Sequence, residues 1–555
     1  MRTRSTLTRL AIPMVALGLI VSGCSSSDGE GGTADIGTTN DINPHPVSDL
    51  KDGGNLRLSL TSFPESFNAL HVDGNTTDTN DVITPLLPQN FTSNAAGELS
   101  VDNDYYTDIK LTGTNPQVVT YTINPKAVWS DGSPITWEDF QSNWQALNGR
   151  NPDYQVATST GYDHVGKVER GVDDRQAVVT FDQPYGEWQG LFGPLYPKAA
   201  TESVQAFNDW ARTSLPVSSG PFIITNLDRT QNRITLGRNP KWWGDTPVLA
   251  NITFSVLDSS SWLPAIQNNE LDEAYMAGLE NVSAARAAAG VEIRRASEPS
   301  KNIVTFNGAP GSLLEDMKLR QAIAKAIDRQ TIVDSSQHGI VDNPKVLNNH
   351  IFIAGQKGYQ DNASVVGFDP DAAAKELDAL GWVLKGDVRE KDGRKLELRD
   401  VMYDQTGWVD TAKIIQANLA KVGVKLTIQT VPGTGLFTNV VNPGNFELAQ
   451  FGLSGGVLPL GVLRQTYYYD PANWQGNKAR VGSPELNKLI DQTLAELDPD
   501  KARELANQCD AKIFEQVNSL PLNQASGTHA VRKDLANWGA FGLASPDYTK
   551  VGFLK

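Results

Sequence analysis

Cysteine supply sets the first limit on this chain. Only Cys24 and Cys509 occur in 555 residues. A disulfide framework and a cysteine metal cluster are both excluded. The N-terminus, however, reads as that of an exported chain. Arg2, Arg4 and Arg9 give a positive start with no acid, and residues 10–21 form an apolar run. A membrane-spanning helix needs about 20 such residues, so this run is too short. Its length and flanks fit a secretory signal. An exported chain without cross-links must draw its stability from a large core, and this one is long enough to bury one. No other segment is apolar and long enough to cross a membrane.

Val21-Ser22-Gly23-Cys24 follows the apolar run directly. The string resembles the bacterial lipobox, which implies that residues 1–23 are removed and that Cys24 is lipidated as the mature N-terminus. The alternative is an ordinary signal peptide beside an incidental cysteine. Stable anchoring takes two acyl signals, and a diacylated cysteine supplies them. With Cys24 carrying lipid, Cys509 has no disulfide partner. Residues 24–47 are rich in Ser, Gly, Thr, Asp and Asn and poor in apolar residues. Such a stretch cannot bury a core and reads as a flexible tether. The formal charge is −16, and removal of the three arginines leaves the mature chain near −19. An acidic body suits neither nucleic acid nor anionic lipid surfaces; solubility is its plain use.

The body mixes strand and helix patterns without an internal repeat. Residues 55–60 alternate as a half-buried strand, and 118–123, 177–181 and 251–256 are further strand candidates. Thr136 with Asp139 three residues on is a helix start. After about residue 310 the period becomes helical. Leu319, Ile323 and Ile327 share a face. Asp369-Pro370 opens a helix that Gly381 closes, and Ala412, Ile415, Leu419 and Val422 form a stripe closed by Gly423. Residues 424–430 read as the next strand. Leu486, Ile490, Leu494 and Leu497 mark a late helix. Asp498-Pro499 opens another, whose face carries Leu505, Cys509, Ile513 and Val517. Cys509 is therefore expected to be a buried small hydrophobe, not a reactive thiol. Alternating helices and strands predict α/β layers, and the length without repeats predicts more than one lobe.

Several of these segments together resemble the family 5 extracellular solute-binding proteins, the dipeptide- and oligopeptide-binding components of ABC importers. The match starts at Gly53-Gly54-Asn55-Leu56. It continues at Val128-Trp129-Ser130-Asp131-Gly132-Ser133-Pro134-Ile135-Thr136, Ser219-Gly220-Pro221-Phe222 and Arg238-Asn239-Pro240-Lys241-Trp242-Trp243-Gly244. Asn307, Asp316, Arg320-Gln321-Ala322-Ile323 and Ala326-Ile327-Asp328-Arg329 follow. Gln416, Leu419 and Gly423-Val424 extend the match, and Asp498-Pro499 through Leu520-Pro521-Leu522 end it. Each string alone is weak; their order across the mature chain carries the resemblance. Most are structural: Asp131-Gly132-Ser133-Pro134, for example, is turn chemistry.

The resemblance implies an α/β chain with the two-lobed periplasmic-binding-protein type II (Venus flytrap) fold. Lobe I would comprise 48–305 and 523–555, with an extra subdomain at about 88–217, and lobe II would comprise 306–522. Ligand would sit in the interlobe cleft, which closes by a hinge at the crossing strands. A monomer on the outer face of the bacterial cell membrane is implied, with permease subunits and their cytoplasmic ATPases as partners. In peptide binders of the family the ligand backbone adds to a strand, which is blind to sequence. The corresponding stretch here contains Phe451, Gly452, Leu453 and Ser454, facing Phe63, Pro64 and Glu65 of lobe I. Trp408, after Tyr403 and Asp404, is either a pocket wall or core.

One departure matters. The family's peptide binders carry an aspartate that pairs with the peptide α-amine, where this chain has Gly456. No carboxylate lies between Glu447 and Asp470. A buried ammonium without an anion is costly. Either another acid reaches in, Glu65 and Asp404 being the candidates, or the ligand has no free α-amine. Non-peptide solutes such as a sugar, a haem or a metal chelate stay open for the same fold. Gly452-Leu453-Ser454-Gly455-Gly456 also matches the nucleophile-elbow pattern of serine hydrolases, with His529 downstream, but no clear helix follows it. The six histidines show no metal spacing. No cofactor is expected.

Overall fold

The computed structural model describes residues 39–555 apart from 433–434 and 475. The proposed signal segment and Cys24 lie outside the described residues. Among the described residues no helix is long and apolar enough to cross a membrane.

The first sheet is built where the alternating pattern predicts strands. Asn55–Leu60 pairs in parallel with Asn251–Val256, Leu56 lying opposite Ile252, and antiparallel Arg233–Arg238 and Phe222–Asp228 complete the sheet. Leu56, Leu58 and Leu60 point into the core while the residues between them stay partly exposed, as a period of two requires. A second four-stranded sheet joins Tyr106–Thr114, Gln117–Ile123, Gln176–Phe181 and Val165–Arg170. The helix Trp137–Leu147 packs on it. Its start is the expected capping box, in which Thr136 and Asp139 satisfy each other's backbone N–H groups. One continuous apolar core runs through both sheets.

The second body is a five-stranded sheet ordered Lys425–Val431, Glu397–Tyr403, Leu448–Leu453, Lys301–Phe306, Ser519–Gln524. The helix Thr406–Lys421 connects its first two strands, which are parallel, and buries Ala412, Ile415 and Leu419 against the sheet. The late helices Pro484–Ala495 and Pro499–Gln516 close a separate cluster around Cys509. Cys509 is fully buried, and that burial pushes its thiol up to about 11, so it stays protonated and inert.

Two segments join the bodies. Residues 296–300 run outward from the strand Val291–Arg295 to Lys301–Phe306, and 525–527 return from Ser519–Gln524 to Thr528–Arg532. They lie side by side: Ala525 N–H donates to the Ser300 carbonyl at 2.9 Å, and Gln524 Nε2 donates to the Glu298 carbonyl at 2.9 Å. Gly527 sits at φ +50, and a Cβ there would lie 2.3 Å from the Ala296 carbonyl oxygen. Lys301–Phe306 belongs wholly to the five-stranded sheet, so the outward crossing falls just before Lys301 rather than at 305/306.

The start of the body also differs from the sequence reading. The tether was expected to run to Val47, yet Asp41 already forms a bridge with Ala540, donating and accepting backbone hydrogen bonds at 2.8 and 3.0 Å. Its carboxylate accepts from Arg295 N–H at 3.0 Å, and His45 and Asn537 bond to each other. The reason is physical: composition measures apolar burial, whereas this stretch is fixed by polar contacts.

Candidate functional site

The largest of the cavities described here, about 780 Å³, opens between the two bodies. One wall is the five-stranded sheet and its neighbours: Ile303, Thr305, Phe451 and Leu453 on two antiparallel strands, then Arg464 to Thr466 on the helix Gly461–Tyr467. The other wall comes from Asn75, Ala157, Thr158 and Thr160. Phe451 and Leu453 share the face of Ile303 and Thr305 across the antiparallel ladder, and Leu448–Leu453 pairs with Glu397–Tyr403 only at Leu448 and Ala449, so its far end diverges from that neighbour. Beneath them Phe451 packs on Phe437 with ring centres 5.2 Å apart. The cavity carries two cations, Arg464 and Lys478, and none of its lining residues is a carboxylate. Arg464 pairs with Asp491 at 3.0 Å and lies over the Tyr468 ring. Burial, and then Arg480, lower the Lys478 ammonium from its ordinary value. Thr305 is 2% exposed, lines the cavity, and its hydroxyl has no hydrogen-bond partner.

Of the residues singled out from sequence, the structure brings Phe451 and Leu453 into this wall. Gly452 alternates to the other side and is exposed. Ser454 and Gly456 follow the strand, and a Cβ at Gly456 would meet nothing within 4 Å. Phe63, Pro64 and Glu65 do not line the cavity. Asp78 holds the start of their segment by accepting from the N–H and hydroxyl groups of Thr61 and Ser62 at 2.6–2.9 Å. Phe63 then turns under the Arg229 guanidinium, 4.4 Å away, Pro64 is buried, and Glu65 is exposed. Tyr403 packs behind the cavity near Phe437, Asp404 is exposed, and Trp408 sits half-buried in the first turn of Thr406–Lys421 without lining the cavity. Neither Glu65 nor Asp404 lines this cavity.

The hydrolase arrangement is not assembled. His529 Nδ1 meets Glu273 at 2.7 Å and its Nε2 faces Glu298 at 3.4 Å, leaving neither nitrogen for Ser454. Burial pulls the imidazole down, but the hydrogen bonds to Glu273 and Glu298 outweigh it and hold it up at about 10. It is a fixed cation rather than a base. His350 is likewise spoken for, between Asp510 and the Ser519 carbonyl. Among the described residues no group of three or more His, Cys, Asp or Glu side chains is placed to hold a metal ion.

Beside the main cavity, Gly186 and Glu187 of the segment after Gln176–Phe181 reach across to the late part of the chain. Glu187 is 7% exposed, and its two oxygens accept from the N–H groups of Leu460 and Gly461, each at 2.8 Å. Gly186 N–H donates to the Leu494 carbonyl at 2.7 Å. Burial raises the Glu187 carboxyl to about 7 despite the two N–H donors. Sequence reasoning passed over this contact, as it did Asn75, the 157–160 loop and Arg464. None of them sits in a periodic pattern.

The comparisons with known proteins fit this architecture. Residues 111–475 match the model for bacterial extracellular solute-binding proteins, family 5. The chain is 49% identical over 564 residues to the oligopeptide-binding protein OppA of Mycobacterium tuberculosis, covering 100% of this chain and 95% of that protein. Among solved structures, the periplasmic EDTA-binding protein EppA superposes with a TM-score of 0.85 at 24% identity, covering 94% of this chain and 99% of that one. The oligopeptide-binding protein AppA of Bacillus subtilis, solved with a nonapeptide, gives 0.75 at 18% identity, covering 91% and 100%. These relatives are binding proteins rather than enzymes. The chain belongs to the family 5 bacterial extracellular solute-binding proteins, the two-lobed solute-capturing components of ABC importers.

Proposed function

We propose that this protein captures peptides outside the cytoplasmic membrane and delivers them to the permease of an ABC importer. The observation that carries the reading is the 49% identity to an oligopeptide-binding protein across the whole chain. The site chemistry is compatible with it. The diverging end of Leu448–Leu453 leaves backbone groups beside Phe451 and Leu453 for an added strand. Arg464 and Lys478 supply cations for a peptide carboxylate.

On this reading lobe I consists of residues up to about 300 together with those after about 524, with the subdomain at 88–217, and lobe II lies between the two crossings. The lobes close about 296–300 and 525–527, and Glu187 fastens the closed form by gripping Leu460 and Gly461. The protein works as a monomer tethered by a lipid on Cys24, and Ser454 has no catalytic part. Replacing Cys24 by alanine would release the protein from washed membranes without unfolding it.

The test is mass spectrometry of small molecules released by denaturing protein purified from its own host. The reading expects peptides of a few residues, mixed in sequence. A sugar, haem or metal chelate as the sole bound species would overturn it.

A further inference from the structure

A second cavity, of about 620 Å³, lies in the first body beside the crossings. Its charges are one-sided. Asp78, Asp81, Glu273 and Glu298 line it, and the only cation among its lining residues is His529. His529 is shared between Glu273 and Glu298, and Asp78 is occupied by Thr61 and Ser62. The Asp81 carboxylate has no hydrogen bond or ion pair to any described residue. Even with His529 protonated, the four carboxylates leave the cavity in excess of negative charge.

The rest of the wall is aromatic. Trp538 lies edge-on to Phe541 and tilted against Tyr548, with centroids 5.2 and 5.6 Å apart, and Tyr275 lies edge-on to His529. Trp538 is 8% exposed and stands at the cavity wall. Aromatic faces and an excess of carboxylates, one of them unpaired, together attract one chemistry, an organic cation. Asp81 is exposed to solvent, and the protein around it, then Glu273 and Asp78, raise its carboxyl to about 7.

We propose that this acidic, aromatic cavity is a subsite for a cationic group of the ligand, an alkylammonium or guanidinium, with Asp81 as its principal counter-ion. Asp81 then does the work that the missing acid at Gly456 cannot. Asn75 lines the main cavity, while Thr77, Asp78 and Asp81 on the following helix, Thr77–Ile83, line this one. A ligand with a carboxylate near Arg464 and a cation near Asp81 would have complementary charges at the two cavities. The inference rests on the peptide reading for the carrier of the cation, which could be an α-amine or a lysine or arginine side chain. The chemistry of the subsite is tested separately.

Trp262 and Trp538 in the wall report occupancy by fluorescence. The full-length protein and its Asp81→Asn variant are titrated with three probes: agmatine, a pool of five-residue peptides with free amines and lysine, and the same pool acetylated and without basic residues. Asp81 holds no other group in place, so the variant should fold, and circular dichroism checks this. The inference expects agmatine and the basic pool to bind wild type, each weakened roughly tenfold or more in Asp81→Asn, with the neutral pool equal on both. A third pool, acetylated but retaining lysine, separates the two carriers. If basic and neutral pools bind wild type alike, the subsite is refuted and the peptide reading stands. If agmatine alone binds, and depends on Asp81, the subsite stands and the peptide reading falls. Agmatine binding that ignores Asp81→Asn, or no binding of any probe, overturns the subsite.

Discussion

At the residue scale, the acids differ in what they touch. Glu65 and Asp404 are exposed and line neither cavity, so Glu65→Gln and Asp404→Asn should each leave peptide affinity within about twofold in calorimetry, the ordinary range for surface changes. Asp78 is different. It gathers two backbone N–H groups and two hydroxyls of Thr61 and Ser62. Asp78→Ala would remove these four hydrogen bonds, each worth about 0.5–1.5 kcal/mol, and should lower the thermal midpoint by several degrees. An unshifted midpoint would mean that the Thr61–Ser62 turn does not need its carboxylate. Sequence could not separate these acids. Phe63 and Phe451 are equally apolar in a string of letters, yet Arg229 draws the first away while the face shared with Ile303 and Thr305 presents the second.

At the scale of elements, local pattern was a good guide wherever one face meets a core. The strand at 55–60, the capping box at Thr136, and the Asp-Pro helix starts at 369 and 498 all stand where the periodicity and cap chemistry put them. The reason is that burial and capping are decided within a few residues. The helices Thr77–Ile83 and Gly461–Tyr467, which carry Asp81 and Arg464, are short and lack an extended apolar stripe, so nothing local announces them. The contact made by Gly186 and Glu187 is invisible for a further reason: its partners lie far along the chain. Glu187→Ala leaves the N–H groups of Leu460 and Gly461 unmet, and Gly186→Ala would push a methyl to 2.3 Å from the Glu496 carbonyl. Both variants should favour the open form. Small-angle scattering of ligand-free protein should show a larger radius of gyration than wild type; equal radii would deny Glu187 a part in closure.

At the scale of the molecule, the buried carboxyls set a pH dependence. Burial raises Asp102, Glu187 and Asp400 to about 7 and Asp139 to about 6. A group whose folded value exceeds its unfolded one binds more protons when folded, so stability grows as pH falls through the folded value towards the unfolded one. His529, held at about 10, acts in the same direction down to its ordinary 6.5, while His71, lowered by burial, opposes only below that. The thermal midpoint should therefore be higher at pH 6 than at pH 8. A midpoint that rises from pH 6 to pH 8 would contradict the burial of these acids.

The central claim is that a peptide lies between the lobes, against Phe451 and Leu453 on one side and the 157–160 loop on the other. Hydrogen–deuterium exchange tests it directly, with the protein saturated by a peptide shown by calorimetry to bind. The account predicts slowed exchange together in 451–456, in 461–466 and in 157–160. Protection confined to one lobe, or lying away from these segments, would contradict it.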